Sequence, residues 1–181
     1  MNDTRTEIIN IANELIKSIG YNAFSYADIS KKLNIKNAAI HYYFPSKSDL
    51  GVEVIKRNRA AFNSNVEFWA NLDYRQQLVR YLTMHDGFLD NYWACIVGAL
   101  SPSFDTLPEN MQTELQQLVN AILDWLTDLL EKGKGGNVFS FPESPKVKAY
   151  MIHSAMLSAL LMNRILKNDV YKSIRDSLMN I

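Results

Sequence analysis

Residues 25–50 read SYADISKKLNIKNAAIHYYFPSKSDL, and this stretch decides the fold of the chain. Its pattern predicts two helices, each too short to be stable alone, joined by a turn of about four residues. Ser25 and Asp28 have the spacing of a capping box in which Asp replaces the usual Glu or Gln. Asn34 lies at the turn, where a left-handed residue is needed and asparagine is tolerated. We therefore predict a helix-turn-helix at about residues 25–44.

The two predicted helices have distinct inner and outer faces. The side chains that can form a shared apolar seam are Ile29, Leu33, Ile35 and Ile40. The outer face of the second helix carries Lys36, Asn37, Ala38, His41 and Tyr42. These donors, flat rings and one small side chain suit the major groove of double-stranded DNA. Core packing of His41 and Tyr42 is the less favoured alternative, because Ile40 and Phe44 already occupy the inner face.

The rest of the chain is also patterned for helices. Thr4 or Thr6 could cap a first helix, and Gly20 would end it. Ser46 to Asp49 is a second box-like cap, before a fourth helix. Further helices are predicted from Asp73 through Leu89, at about 93–104, from Thr106 to about Lys132, from Ser144-Pro145 to about Lys167, and after Asn168, with a loop at Gly133–Glu143. Strand signals are poor, so we expect an all-α fold.

The composition is ordinary for a globular protein, with 48% hydrophobic and 21% charged residues among 181. The single cysteine, Cys95, excludes an intramolecular disulfide. The sequence has no apolar run long enough for a transmembrane helix, and its N-terminus lacks the layout of a signal peptide. We expect a cytoplasmic protein with no membrane partner.

Charge is distributed unevenly along a chain whose formal net charge is zero. Residues 1–60 carry a net charge of +3, and residues 61–181 carry −3. This asymmetry suits a head that binds a polyanion and an acidic body. Lys31 and Lys32 could add salt-dependent attraction to DNA or could form an ordinary solvated face.

The same stretch is similar to the DNA-binding signature of the TetR family of regulators. In that family the recognition helix ends in aromatic residues followed by Phe, and a Lys begins the fourth helix; here those positions are His41-Tyr42-Tyr43-Phe44 and Lys47. The resemblance covers about residues 5–60. Asn34 and Ala38 replace glycines that are usual in the family, and Lys36 replaces a Ser or Thr. These changes affect the expected operator sequence rather than the fold.

The resemblance implies a DNA-contacting role for nine residues. Ser25, Tyr26, Tyr43 and Lys47 would hold phosphates, Ser25 through its hydroxyl and the helix N-terminus behind it. Lys36, Asn37, Ala38, His41 and Tyr42 would face bases or nearby phosphates. Phosphate contacts set the register on DNA, and base contacts set the sequence that is read.

The resemblance also implies a division of labour along the chain. Residues 1–50 would form the DNA-binding domain, and a fourth helix to about residue 65 would link it to a body at 51–181. That body would bind a small-molecule effector and form a homodimer. The expected pocket wall is Trp69, Tyr81, His85, Phe88, Tyr92 and Trp93, although each of these is more often a core residue.

Two helices are candidates for the dimer surface, because small residues let helices approach and methionines fill gaps. The candidate interface residues are Leu118, Ile122, Met151, Ala155, Ser158, Ala159 and Met162. Paired with a twofold mate, the two helices would give a four-helix interface. The alternative is that both apolar stripes serve only the core of one chain.

Other functions receive little support from the sequence. The three histidines are far apart along the chain, and neither metal-ligand spacing nor a phosphate loop is present, so we expect no enzyme, no metal and no cofactor. Cys95 is more consistent with an inert buried thiol than with a sensor, since no basic side chain is adjacent. The remaining alternative is a helical protein-interaction module that does not bind DNA. The leading hypothesis is a repressor that a small molecule releases from its operator.

Overall fold

The computed structural model describes residues 3–181, and the regular secondary structure of this part of the chain is entirely helical. Three short 3₁₀ turns lie at Tyr21–Ala23, Asp86–Phe88 and Ser101–Thr106. The α-helices are α1 (Thr4–Ile19), α2 (Tyr26–Leu33), α3 (Asn37–Tyr43), α4 (Lys47–Trp69), α5 (Tyr74–Thr83), α6 (Ile96–Leu100), α7 (Glu109–Gly135), α8 (Pro145–Leu166) and α9 (Val170–Leu178). The prediction of an all-α fold is confirmed.

The predicted helix starts are largely found where the capping residues stand. Ser46 and Asp49 form a reciprocal box, in which the Ser46 amide donates to the Asp49 carboxylate at 2.9 Å and the Asp49 amide donates to the Ser46 hydroxyl at 3.1 Å. Asp73 accepts from the Gln76 amide at 2.8 Å, and Ser144 caps α8 before Pro145. The first helix differs, because Asp3 is its N-cap and Thr4 is already its first residue. Gly20 ends α1 with a φ of 92°, as the sequence predicts.

Four predicted helix lengths are wrong, and one of them is the fourth helix, which ends at Trp69 rather than at about residue 65. The helix expected at about 93–104 is only α6, because Pro102 has no amide proton with which to extend it, and the chain continues as a 3₁₀ turn. The helix expected to run through Leu89 ends at Thr83, before a 3₁₀ turn that contains Gly87. In the other direction, α7 extends beyond Lys132 to Gly135.

The chain divides into two compact units. The first contains the residues up to Ala60 together with Ile96–Leu118, so it includes α6 and the beginning of α7 as well as α1–α3. In its core α1 packs on α2, α3 and α6. The second unit contains Ala61–Cys95 and Val119–Ile181. The division of function at residue 50 stays a prediction.

The second unit has an aromatic centre on α7. The ring of Trp125 packs against three others, with centroid distances of 5.7 Å to Phe62, 5.6 Å to Trp69 and 5.6 Å to Tyr81. Large rings bury much apolar surface per residue, so this cluster is a main source of stability for the unit. Among residues 3–181, no helix is long and apolar enough to cross a membrane.

Candidate nucleic-acid interface

The turn between α2 and α3 has the geometry that the sequence predicts. Asn34 adopts a left-handed conformation, with φ 54° and ψ 44°, and its amide donates to the Ser30 carbonyl to end α2. The Ile35 amide donates to the same carbonyl at 3.1 Å. Behind the turn, Ile29 and Ile40 are fully buried. The predicted seam therefore holds α3 at a fixed angle to α2.

The outer face of α3 is open to solvent. Its exposed residues are Lys36, Asn37, Ala38, His41 and Tyr42, the five residues predicted to face DNA. Tyr42 is 82% exposed, and its ring meets that of Tyr43 edge to face at 5.1 Å. An aromatic side chain that is this exposed contributes little to the core. Its position instead leaves both ring and hydroxyl available to a partner.

The imidazole of His41 is oriented by its neighbours. Its Nδ1 lies 3.3 Å from the Pro45 carbonyl oxygen, and its ring packs on Tyr26 with centroids 4.7 Å apart. A carbonyl oxygen can only accept a hydrogen bond, so Nδ1 carries the proton in this contact. The other ring nitrogen remains for a partner outside the domain.

The side chain of Tyr26 is directed into the domain, and its predicted phosphate contact stays a prediction. Its side chain is buried, and its hydroxyl donates to the Phe44 carbonyl at 2.9 Å. Burial, followed by repulsion from Asp49 and Tyr21, raises the pKa of the phenol to about 12. The bond ties the first turn of α2 to the end of α3. Tyr26 therefore supports the recognition helix from inside the domain.

Lys47 is likewise engaged inside the domain. Its ammonium donates to the Tyr21 carbonyl at 2.6 Å and to the Phe24 carbonyl, and it lies over both aromatic rings at 4.6 and 4.2 Å. Burial lowers the pKa of Lys47. These contacts fasten the start of α4 to the segment before α2. A phosphate contact would have to use the donor capacity that these two carbonyls leave.

Ser25 is committed to the cap of α2. Its amide and its hydroxyl donate to the Asp28 carboxylate at 2.7 and 2.9 Å. These bonds lower the pKa of the Asp28 carboxyl, so it is ionised at neutral pH. The predicted capping box is confirmed. A phosphate held by Ser25 would have to share its hydroxyl proton with Asp28.

Sequence reasoning missed the contacts that make the domain rigid. Arg5 on α1 pairs with Glu53 on α4, and its guanidinium lies 5.3 Å from the centre of the Phe44 ring. Lys32, by contrast, is exposed, and its ammonium lies 3.9 Å from the Glu14 carboxylate. Such a surface pair contributes little to stability. For the contacts of Lys47, the sequence did offer a signal: the aromatic residues at 21–26 are rings over which a lysine can lie.

The predicted pocket residues fall into three groups. Trp69 and Tyr81 are buried against Trp125. His85, Phe88 and Trp93 contact one another, with centroid distances of 5.1 and 6.3 Å. The ring of Tyr92 lies 3.6 Å below the ammonium of Lys167. The assignment of these six residues to one pocket wall stays a prediction.

One body residue escaped the sequence prediction. The imidazole Nδ1 of His153, on α8, lies 2.8 Å from the Tyr81 hydroxyl. A surface groove of about 380 Å³ lies nearby in the same unit and shares Trp125 with the aromatic cluster. The other groove residues are Val66, Ala70, Tyr74, Gln77, Asp128, Leu129 and Lys132. His153 is a single histidine on a largely apolar helix, and it gave no distinctive signal in the sequence.

The predicted dimer residues are partly inside the chain itself. Leu118, Ile122 and Ala159 are buried in the single chain and serve its core. Met151, Ser158 and Met162 are exposed, and Ala155 is half-buried. The exposed large apolar residues of α8 are Val147, Tyr150, Met151, Leu161, Met162, Ile165 and Leu166. A face of this extent on one helix is typical of an association surface.

The last sequence expectations concern a metal site and the single cysteine. Within residues 3–181, no three His, Cys, Asp or Glu side chains are grouped to hold a metal ion. Cys95 is buried, just before α6. Its role as an inert thiol rather than a sensor stays a prediction.

Comparison with known proteins identifies relatives along nearly the whole chain. Residues 8–54 match the family described as bacterial regulatory proteins, tetR family. The HTH-type transcriptional repressor NemR of Escherichia coli K12 is 22% identical over 173 residues, 90% of this chain and 85% of NemR. Among solved structures, a TetR family regulator from Agrobacterium tumefaciens is 29% identical with a TM-score of 0.90, and a TetR regulator from Legionella pneumophila is 28% identical with a TM-score of 0.88. Each covers 97% of this chain and 95% of its own.

A more distant structure shares the fold alone. The regulator FadR from Bacillus subtilis, solved with stearoyl-CoA, is 15% identical with a TM-score of 0.71 and covers 96% of this chain and 95% of its own.

Proposed function

We propose that this chain is a DNA-binding transcriptional regulator of the TetR family, a repressor that a small molecule releases from its operator. The observation that carries the DNA half of the proposal is the exposed outer face of α3 on a capped and rigid helix-turn-helix. The name of the relative NemR, a transcriptional repressor, supports the sign of regulation.

In this proposal α3 enters the major groove. Lys36 and Asn37 lie at its N-terminal end, where recognition helices contact base edges. Tyr42 and Tyr43 would lie against the sugar–phosphate backbone and thymine methyl groups. The net charge of +3 on residues 1–60 adds attraction that weakens as salt rises.

The proposal includes a homodimer. An operator read by two heads requires a twofold mate, and the exposed apolar face of α8 supplies a surface for it. Met151, Ser158 and Met162 lie on that face, and small or flexible side chains suit a close helix crossing. Leu118, Ile122 and Ala159 would support this interface from within the chain.

Release requires that the effector favour one arrangement of the heads over another, since a ligand with equal affinity for both shifts nothing. Two features of the first unit offer a route. Helix α6 packs on α1, and Arg59 on α4 pairs with Glu114 on α7 at 2.9 Å. Helix α7 continues from Leu118 into the second unit, where the effector would bind. A ligand that shifted α7 would thereby act on the unit that contains α3.

The test is binding of the purified protein to DNA from upstream of its own gene, measured by fluorescence anisotropy at several salt concentrations. We expect a specific footprint with twofold symmetry. Tyr42→Ala should weaken specific binding by about 10-fold or more, as for the loss of a base-edge or backbone contact worth ~1–3 kcal/mol. Phe68→Ala is the control, because it removes an exposed aromatic side chain of the body.

Two outcomes would contradict the proposal. A protein without any specific footprint, or a Tyr42→Ala variant that binds as tightly as the parent, would show that α3 does not read DNA. A specific footprint from a monomer in sedimentation experiments would leave DNA recognition intact and remove the homodimer.

A further inference from the structure

The centre of the second unit contains a buried polar atom that is not satisfied. The Nε2 atom of His153 is inaccessible to solvent and has no hydrogen-bond partner among residues 3–181. Leaving such a group unpaired typically costs about 1–3 kcal/mol. An unpaired buried nitrogen next to an aromatic cluster therefore needs a physical explanation.

Counting donors and acceptors fixes what this atom offers. If the Tyr81 hydroxyl donates to Nδ1 of His153, the tyrosine proton and Nδ1 are both satisfied, and only the Nε2 proton is left over. In the opposite arrangement, both the tyrosine proton and Nε2 would lack partners. The first arrangement leaves fewer unsatisfied groups, so Nε2 carries a proton and is a donor. Burial lowers the pKa of His153 to about 4, so this donor is neutral at pH 7.

The surroundings define the rest of a binding site. Tyr81 is packed against Trp125, and Trp125 also lines the surface groove of about 380 Å³. The groove has Val66, Ala70 and Leu129 as apolar wall residues. Tyr81, the hydrogen-bond partner of His153, and the groove therefore share Trp125 as a neighbour. Flat apolar molecules stack favourably in a cleft of aromatic rings.

We propose that Tyr81 and His153 form the polar end of the effector site, and that the effector has a flat apolar body bearing an oxygen acceptor. The acceptor, a carbonyl or carboxylate oxygen, takes the proton of His153 Nε2, while the body lies between Trp125 and the apolar wall of the groove. This inference rests on the proposed function, because it names the chemistry of the same effector. A ligand with a cationic donor in that position would leave Nε2 unsatisfied and add a buried charge.

The experiment compares two probes of equal shape, 2-naphthoate and 2-naphthylmethylammonium, with the ligand-free full-length protein. Binding is followed by tryptophan fluorescence and calorimetry. We expect only the naphthoate to bind, and we expect His153→Phe to weaken it by about 10- to 100-fold, the equivalent of ~1.5–3 kcal/mol for a hydrogen bond to a charged group. Tyr81→Phe should weaken it less, because it frees the imidazole tautomer without removing Nε2. Phe68→Leu, at an exposed aromatic residue outside the groove, is the control.

A second measurement keeps the test independent of the probe and of folding defects in the variants. In long-range ¹H–¹⁵N spectra of the parent protein, His153 should show its proton on Nε2. A proton on Nδ1 would overturn the proposal. So would equal binding of the two probes, unchanged naphthoate binding by His153→Phe, or failure of naphthoate to bind the parent protein. Operator binding is measured on the same samples. Absence of a footprint in the ligand-free parent is a failure of the proposed function. Naphthoate binding that requires His153 supports the site whether or not the footprint is seen.

Discussion

The helix-turn-helix and the aromatic centre of the second unit are built on different principles. In the first, the features that define the motif are local: a cap three residues from its partner, a turn residue between two short helices, and an outer face at helical spacing. In the second, Trp125 meets rings that are 44 to 63 residues away in sequence. A local design can be inferred from a short stretch of sequence, whereas a centre made by distant side chains requires the tertiary structure.

The largest effect on this comparison is expected when one buried phenylalanine is removed from each region. Phe44 is 1% exposed, and Phe62 is 3% exposed against Trp125. Each alanine variant should lose about 3–5 kcal/mol of stability. Phe44→Ala should abolish operator binding because the buried ring lies directly after α3 and beneath Arg5, so its loss frees the end of the recognition helix. Denaturant unfolding and hydrogen exchange measure the loss. If both variants lost amide-exchange protection equally throughout the chain, the local and the distant contacts would not stabilise separate regions.

A smaller effect should follow pH and belong to the second unit. The pKa of His153 is lowered from 6.5 to about 4 by burial, so the unfolded chain binds more protons between these values. The stability that this group contributes is therefore present above pH 6.5 and is lost as pH falls toward 4, by about 2–3 kcal/mol at most. Thermal melts between pH 7.5 and 4 measure it. His153→Asn should flatten the profile, and a variant that keeps the pH dependence of the parent would contradict the prediction.

Lys47 gives a test of whether a family position has changed its role. If its main partners are the Tyr21 and Phe24 carbonyls, Lys47→Met should reduce stability by about 1–3 kcal/mol and leave the salt dependence of operator binding nearly unchanged. If Lys47 neutralises a phosphate, the slope of log K against log salt should instead fall by about 0.9. Lys36→Met is the matched control, since Lys36 is exposed and its loss should affect DNA binding alone.

The smallest expected effect compares two helix ends of the same shape. Asn34 ends α2 with φ 54° and ψ 44°, and Lys167 ends α8 with φ 53° and ψ 41°. Asparagine tolerates this conformation, so Asn34→Gly should change stability by less than about 0.5 kcal/mol. Lysine tolerates it less well, so Lys167→Gly should stabilise the chain by up to about 1 kcal/mol, less what is lost with the Tyr92 contact. Equal shifts in melting temperature would show that residue type at these ends does not matter.

The sequence by itself determined the all-α class, the position of the helix-turn-helix, its capping boxes and the exposed face of α3. These features depend on residues within one or two helical turns of each other, where spacing fixes geometry. The tertiary structure decided where Tyr26 and Lys47 direct their polar groups, because a phenol and an ammonium bind whichever acceptors the fold places beside them. It likewise joined Tyr81 to His153, 72 residues apart, and left one buried nitrogen of that pair without a partner. Such contacts follow from how helices pack, and no local pattern in the chain specifies them.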